Sequence, residues 1–250
     1  MGAFQKESAM TRFFVSQGEI QASEIILSGE NAAHAKVLRL KAGEELLLCD
    51  GQGQDVLCRV MDAERFVLQV LERRNSETEP AVQVSVYMAF PKADKLEHVI
   101  QKATELGAYE IVAFPSARCV SKPDDKSLKK KLERWQKIAS SAAEQSGRGK
   151  IPDVIILDSY KAALERASQS DLAVLLYENE HATTLKMALE EKALTTVAIL
   201  SGPEGGLEDR EVALAKDAGL RICTLGKRIL RCETAPLCAL SAVMYHAGEF

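Results

Sequence analysis

The sequence predicts an α/β protein: a small β-rich module first, then a larger domain whose parallel sheet carries helices on both faces. Three observations carry that prediction. Residues 10–75 hold short alternating segments, with a hairpin turn between two of them. From Val82 onward, short apolar runs alternate with amphipathic stretches of helical period. Late in the chain two such runs end in glycine loops: Thr195–Leu200 before Gly202-Pro203-Glu204-Gly205-Gly206, and Leu220–Leu225 before Gly226.

In the first module, Met10–Val15 reads as the start of a strand, and Met1–Ala9 before it has no evident pattern. Asn31–Leu40 reads as a short helix with Ala32, Ala33, Val37 and Leu40 on its buried side. Glu45–Cys49, Asp55–Met61 and Phe66–Leu71 read as strands, the first two joined by Asp50-Gly51-Gln52-Gly53, a strong hairpin signal. Arg73–Pro80 is polar and ends in proline, as a linker would.

The second domain, 80–250, opens with a strand over Val82–Phe90 and a helix over Asp94–Leu106, which Gly107 should stop. Ile111–Pro115, Val154–Leu157 and Leu172–Tyr177 are further strands. Leu128–Gln145 is a long amphipathic helix holding the only tryptophan, Trp135, and Tyr160–Ala167 a shorter one. The two late strands flank a helix over Asp209–Ala218 with Gly219 as its cap. Thr234 is placed to cap a last helix, with Pro236 in its first turn and Leu237, Leu240 and Met244 packing inward.

Composition excludes several classes. With 250 residues and 46% hydrophobic content, the chain can bury a substantial core and resembles ordinary globular proteins. No apolar stretch is long enough for a bilayer span and no signal-peptide pattern opens the chain. The six cysteines are scattered without a C-x-x-C pair, so a reduced, cytoplasmic protein is expected. The four histidines are dispersed, and no metal is expected. Net charge is -4, yet Arg118–Lys150 holds ten basic residues against four acids, a local net of +6. Such a cluster suits phosphate contacts, or it is a solvated helix face.

The glycine loops point to a ligand. Glycine lets main-chain N–H and C=O groups approach a bound molecule closely, and open α/β sheets bind ligands at the carboxyl ends of their strands. The loops match neither the dinucleotide fingerprint nor a phosphate loop, so ATP and NAD are not indicated. A flat nucleoside edge fits a backbone-walled pocket, and Arg231 and Glu233 place opposite charges at its rim.

The combination carries a resemblance. Gly202–Gly206 together with Leu-Gly-Lys-Arg-Ile-Leu-Arg-Cys-Glu-Thr-Ala at 225–235 resembles the signature of SPOUT-class ribosomal RNA methyltransferases, nearest the ribosomal RNA small subunit methyltransferase E family. Gln101–Gly107, Arg118-Cys119-Val120, Arg134-Trp135, Ala143–Arg148 and Ile151-Pro152 are similar to its upstream motifs. Arg12–Val15, His34 with Val37-Leu38-Arg39, and Asp50-Gly51 match its N-terminal domain. The likeness runs in order over nearly the whole chain from Met10.

The resemblance implies a PUA-like RNA-binding β-barrel over 10–75 and a SPOUT methyltransferase domain over 80–250, an α/β fold whose C-terminal part is tied in a trefoil knot. It implies a homodimer that binds S-adenosyl-L-methionine in the knot and methylates N3 of one uridine in 16S ribosomal RNA, near the decoding site of the small ribosomal subunit. Three loops would hold the cofactor: one after Leu176-Tyr177, then Gly202–Gly206 with Gly202 and Gly205, then Leu225–Arg231. Leu225, Ile229 and Leu230 would wall the adenine and Gly226 would read its edge; for Ile229 and Leu230 ordinary core packing is equally open. Arg231 would position the base or stabilise charge, with Glu233 and then Glu204 as polar partners. Glu204 could instead bond the amides of its own turn. Arg118 and Glu105 could complete a site shared across the dimer or form a structural ion pair, while Arg12, Arg39, Gln145 and Arg148 would face RNA.

Two departures from the pattern are small: Cys232 stands where a threonine or another small residue is expected, and Glu208-Asp209 replaces a serine-type helix start. Other readings are a SPOUT enzyme acting on transfer RNA or large-subunit RNA, and a non-catalytic RNA-binding knot protein. The PUA-like front and the Arg-Cys-Glu-Thr-Ala third loop argue against the first. Intact Gly202, Gly205, Arg231 and Glu233 argue against the second.

Overall fold

The structure is a computed structural model that describes residues 10–120, 125–190 and 194–250; the leader Met1–Ala9 and Lys122 and Asp124 of the basic stretch lie outside it. The chain forms two compact units, one of residues up to Glu79 together with Ala143–Ile151, the other of Pro80–Ala142 and Pro152–Phe250.

In the first unit, β1 (Arg12–Phe14), β2 (Glu24–Ile26), β3 (Glu45–Cys49), β4 (Gln54–Asp62) and β5 (Val67–Asn75) form one sheet in the order β1-β3-β4-β5-β2. β1 runs parallel to β3 and the other pairs are antiparallel. The predicted hairpin joins β3 to β4, and the Asp50 carboxylate accepts the Gln52 and Gln54 N–H groups at 2.8 and 2.9 Å. Register shifts at Leu57/Cys58 and Val60/Asp62 add local twist to β4. Phe13, Ile20, Leu46, Leu48, Val56 and Leu68 fill the core. Ile20 comes from α1 (Gln17–Ile20), capped by Ser16.

Three expectations need correction here. The helix α2 (Gly29–Val37) buries Ala35, whereas Val37 is 77% exposed. Arg73–Asn75 belongs to β5 and not to a linker, because the strand continues in pairing with Gln54–Val56 of β4. Ala143–Ile151 belongs to this unit and not to the second domain. Gly53 N–H donates to Gly149 O at 3.1 Å and Ile151 N–H to Gly51 O at 3.0 Å. Gly51 has φ +70°, and a Cβ there would stand 3.1 Å from Ile151 Cδ1.

The second unit contains β6 (Gln83–Ala89), β7 (Glu110–Phe114), β8 (Asp153–Ile156), β9 (Leu172–Leu176), β10 (Thr196–Ser201) and β11 (Arg221–Cys223). They form a parallel sheet in the order β11-β9-β10-β6-β7-β8. β7 and β9 are buried at every residue, which is why they read as continuous apolar runs and not as alternating ones.

The helices between them are α3 (Lys95–Glu105), α4 (Asp125–Ser146), α5 (Tyr160–Ala167), α6 (Leu185–Leu189), α7 (Asp209–Asp217) and α8 (Thr234–Ala247). α3 buries Leu96, Val99, Ile100 and Ala103, one stripe of helical period, and Gly107 beyond it has φ +91°. Thr234 is the first residue of α8 and not its cap. Glu233 occupies that place with helical φ and ψ and no capping side-chain bond. α8 buries Pro236, Ala239, Leu240, Val243 and Met244, and packs against α3, β6 and β10. Leu237 is only half-buried.

Candidate active site

β9, β10 and β11 are neighbours at one edge of the sheet, and each ends in a loop on the same side. The three loops border one cleft of about 880 Å³. This is the carboxyl end of a parallel sheet, where side chains give way to turns and main chain can face a ligand.

The first loop leaves β9 at Tyr177, whose N–H donates to Cys223 O at 3.0 Å. Its hydroxyl donates to Asp209 Oδ1 and accepts from Asn179, both at 3.2 Å. Glu180 closes the loop by accepting the N–H groups of Ala182 and Thr183, and those bonds hold its carboxyl below the usual range. The second loop is tight, with Gly206 N–H on Pro203 O at 2.9 Å. Gly206 has φ +68°, and a Cβ there would fall 2.7 Å from Glu178 Oε1. The third loop begins at Thr224, whose hydroxyl accepts the Gly226 N–H at 3.2 Å, and Gly226 turns at φ +105°. It ends where Arg231 O accepts the Thr234 and Ala235 N–H groups, each at 2.9 Å.

Leu176, Tyr177, Gly202, Leu225, Gly226, Ile229, Leu230, Arg231, Glu204 and Lys95 all line the cleft. Ile229 is 85% exposed, so its side chain is a free apolar wall and not core packing. Gly205 is not among the lining residues. Its carbonyl accepts Arg118 Nη1 at 3.1 Å, and a Cβ on it would stand 3.1 Å from Arg118 Cβ, so its role is to let the Arg118 loop sit close. Glu105 pairs with Lys102 at 2.8 Å and not with Arg118.

A charged cluster stands at one end of the cleft. Lys95 Nζ lies 3.1 Å from Glu204 Oε1 and 3.2 Å from Glu233 Oε2. Glu204 also accepts the Lys92 N–H at 3.0 Å, so it reaches across to α3 and does not only serve its own turn. The Cys232 thiol donates to Glu233 Oε2 at 3.2 Å. Burial, then the bond to Glu233, push that thiol up to about 12, so it stays protonated. Burial alone would raise both carboxyls, but their own backbone N–H groups and Lys95 outweigh it and hold them below the usual range.

Sequence reasoning missed Lys95, Glu178 and Glu211. The Glu211 carboxylate is buried and accepts the Ala117 and Glu208 N–H groups at 2.8 and 2.9 Å, tying the Arg118 loop to the start of α7. A signal for Lys95 existed: a cation in the first turn of a helix opposes the helix dipole and needs another reason to be there. Among the described residues no group of three His, Cys, Asp or Glu is arranged so that it could hold a metal ion. No helix among them is long and apolar enough to cross a membrane.

Of the four residues expected to face RNA, Arg39 and Gln145 are exposed. Arg12 and Arg148 are not offered to solvent. Arg12 makes a bidentate pair with Asp55 at 3.0 and 3.2 Å. Arg148 is 4% exposed and holds Glu79 at 2.6 Å. Glu79 also accepts the Gly149 and Lys150 N–H groups, so it organises the whole returning segment. Glu79→Ala is expected to cost about 1.5–3 kcal/mol, the range for bonds to charged groups, which urea denaturation would measure.

A family model described as an RNA methyltransferase domain matches residues 78–244, and one described as an RNA methyltransferase PUA domain matches residues 27–71. The chain belongs to the ribosomal RNA small subunit methyltransferase E family. It is 37% identical to the member of that name from Bacillus subtilis, over 94% of this chain and 96% of that one. The crystal structure of the Neisseria gonorrhoeae ribosomal RNA small subunit methyltransferase E bound to S-adenosyl methionine is 30% identical. It superposes with a TM-score of 0.81 over 94% of this chain and 97% of that one. A Legionella pneumophila methyltransferase in complex with the same cofactor gives 0.80 at 28% identity, over 94% and 97% of the two chains. The α/β unit and its β-rich companion are thus the SPOUT and PUA-like parts of a methyltransferase E.

Proposed function

We propose that this protein transfers a methyl group from S-adenosyl-L-methionine to N3 of one uridine in 16S ribosomal RNA, near the decoding site, acting as a homodimer on the small ribosomal subunit in the cytoplasm. The observation that carries the reading is the cleft itself. It combines backbone-walled glycine turns, the exposed Ile229 and a charged rim in a volume suited to a nucleoside cofactor. Relatives named ribosomal RNA small subunit methyltransferase E, and two methyltransferase structures solved with this cofactor, support the methyl-transfer part of the reading. The PUA-like unit with exposed Arg39 and Gln145 supplies an RNA-facing surface.

The cofactor, when bound, supplies an already activated methyl group. The chain's task is to align the uracil nitrogen and to manage its proton. Glycine loops and the Leu225, Ile229 and Leu230 side chains would hold the adenine side. Alignment of this kind is worth several kcal/mol. Glu233 and Glu204 are anions tied to Lys95, which favours a holding role for them over proton uptake. Arg231 at the rim is the group placed to stabilise a uracil imide anion. The uridine must leave its stack to enter the cleft.

The test is incubation of the protein and labelled cofactor with small subunits, large subunits and transfer RNA, followed by nucleoside analysis. Label recovered as 3-methyluridine from 16S RNA alone supports the proposal. Label elsewhere, or in another nucleoside, rejects it.

A further inference from the structure

We propose that Lys95 is the positioning residue of this cleft: its ammonium clamps Glu204 of the second loop to Glu233 beside the third and so sets the width of the pocket between them. The inference rests on the cofactor reading above and assigns the residue that keeps that site assembled. Three separate pieces of backbone meet at one nitrogen. Lys95 opens α3, Glu204 stands in the turn after β10, and Glu233 immediately precedes α8. The distances of 3.1 and 3.2 Å are direct contacts at the long end of the hydrogen-bonding range.

The backbone beside this contact is strained. Ala93 adopts φ +54°, a left-handed conformation that is unfavourable for a residue with a Cβ. It lies between Lys92, whose N–H donates to Glu204, and Lys95, whose ammonium does the same. Strain of this kind persists where surrounding contacts demand it. The clamp leaves one net negative charge, since Cys232 keeps its proton.

The titratable groups facing Lys95 are Glu204, Glu233 and Cys232. The bond to Glu204, then, against the cost of burial, the bond to Glu233 raise the lysine above its usual range. A raised lysine stabilises below its ordinary value of 10.5, and lowered carboxylates stabilise above their ordinary value of 4.5. Between those limits the wild-type clamp is insensitive to pH.

Removing the cation reverses this. In Lys95→Met two partly buried carboxylates keep their places at this end of the cleft without the counter-ion they shared, so acid relieves the repulsion and alkali restores it. Calorimetric titration of the full chain with S-adenosylmethionine, from about pH 4.5 to about pH 9, should show K95M weaker than wild type by about tenfold at the alkaline end. The deficit should shrink toward acid. Lys95→Arg should restore most of the affinity, and K95M/E204Q should lose the pH dependence because one carboxylate remains.

Thermal melting of the same proteins without cofactor reads the clamp independently. The K95M midpoint should fall relative to wild type as pH rises. A deficit equal at every pH, in binding and melting alike, would reduce Lys95 to a packing residue and overturn the clamp, as would no deficit at all. Wild type that melts as described but binds no cofactor would refute the cofactor reading and leave the clamp standing.

Discussion

Arg231→Ala is expected to lower methyl transfer by about 10²–10³-fold, the usual effect of removing one preorganised group that meets developing charge. Cofactor affinity should change little. The arginines of this protein differ in what holds them. Arg12 is committed to Asp55, Arg148 to Glu79 and Arg118 to the Gly205 carbonyl. Arg231 alone among these four lines the cleft, and its guanidinium has no acid partner among the described residues. Its main chain is anchored, because its carbonyl accepts two N–H groups of α8 at 2.9 Å. The backbone should therefore stay in place when the side chain is cut. Single-turnover methylation and calorimetry, done on the same preparation, separate the two effects. Equal losses in both would make Arg231 a cofactor residue. Arg231→Lys should recover only part of the rate, since an ammonium lacks the planar fork of the guanidinium.

Gly202→Val is expected to weaken cofactor binding by roughly 5- to 150-fold, corresponding to about 1–3 kcal/mol of overpacking. A Cβ at position 202 would already stand 3.0 Å from Leu207 Cγ and 3.4 Å from the Gly206 carbonyl carbon. Leu207 is 4% exposed and has little room to retreat. The strain falls within the second loop, whose turn depends on the short Gly206 to Pro203 bond. Strand β10 ends before this point, at Ser201, so the sheet should survive. Circular dichroism and melting would confirm an intact fold. Unchanged affinity in calorimetry would mean that the cofactor does not contact this loop.

The α/β unit was legible because its signals are local. The apolar runs of β7 and β9 and the heptad-like stripe of α3 are visible within single segments. The three loops of the cleft were also legible, since glycines at the ends of consecutive strands already mark them. What failed was long-range. Nothing near Lys95 announces Glu204 or Glu233, which meet it only through the strand order. The expected buried side of α2 failed because Val37 sits at its last turn, where the chain has left the core. Short elements such as α1, β2 and α6 have too few residues to display a period. Arg12 and Arg148 drew attention as basic residues, but charge alone could not reveal the buried carboxylates that hold them.

The return of Ala143–Ile151 to the first unit bears on how the chain is made. A module composed only of the opening residues could close as soon as it left the ribosome. This one is completed later, because Gly149, Lys150 and Ile151 finish its hairpin edge and answer Glu79. Its last contacts must wait while the segment carrying β6, β7 and α4 is synthesised. Until then the Gly51 carbonyl, the Gly53 N–H and the Glu79 carboxylate lack the partners that Gly149, Lys150 and Ile151 give them. A fragment ended at Glu79 would lack those contacts permanently.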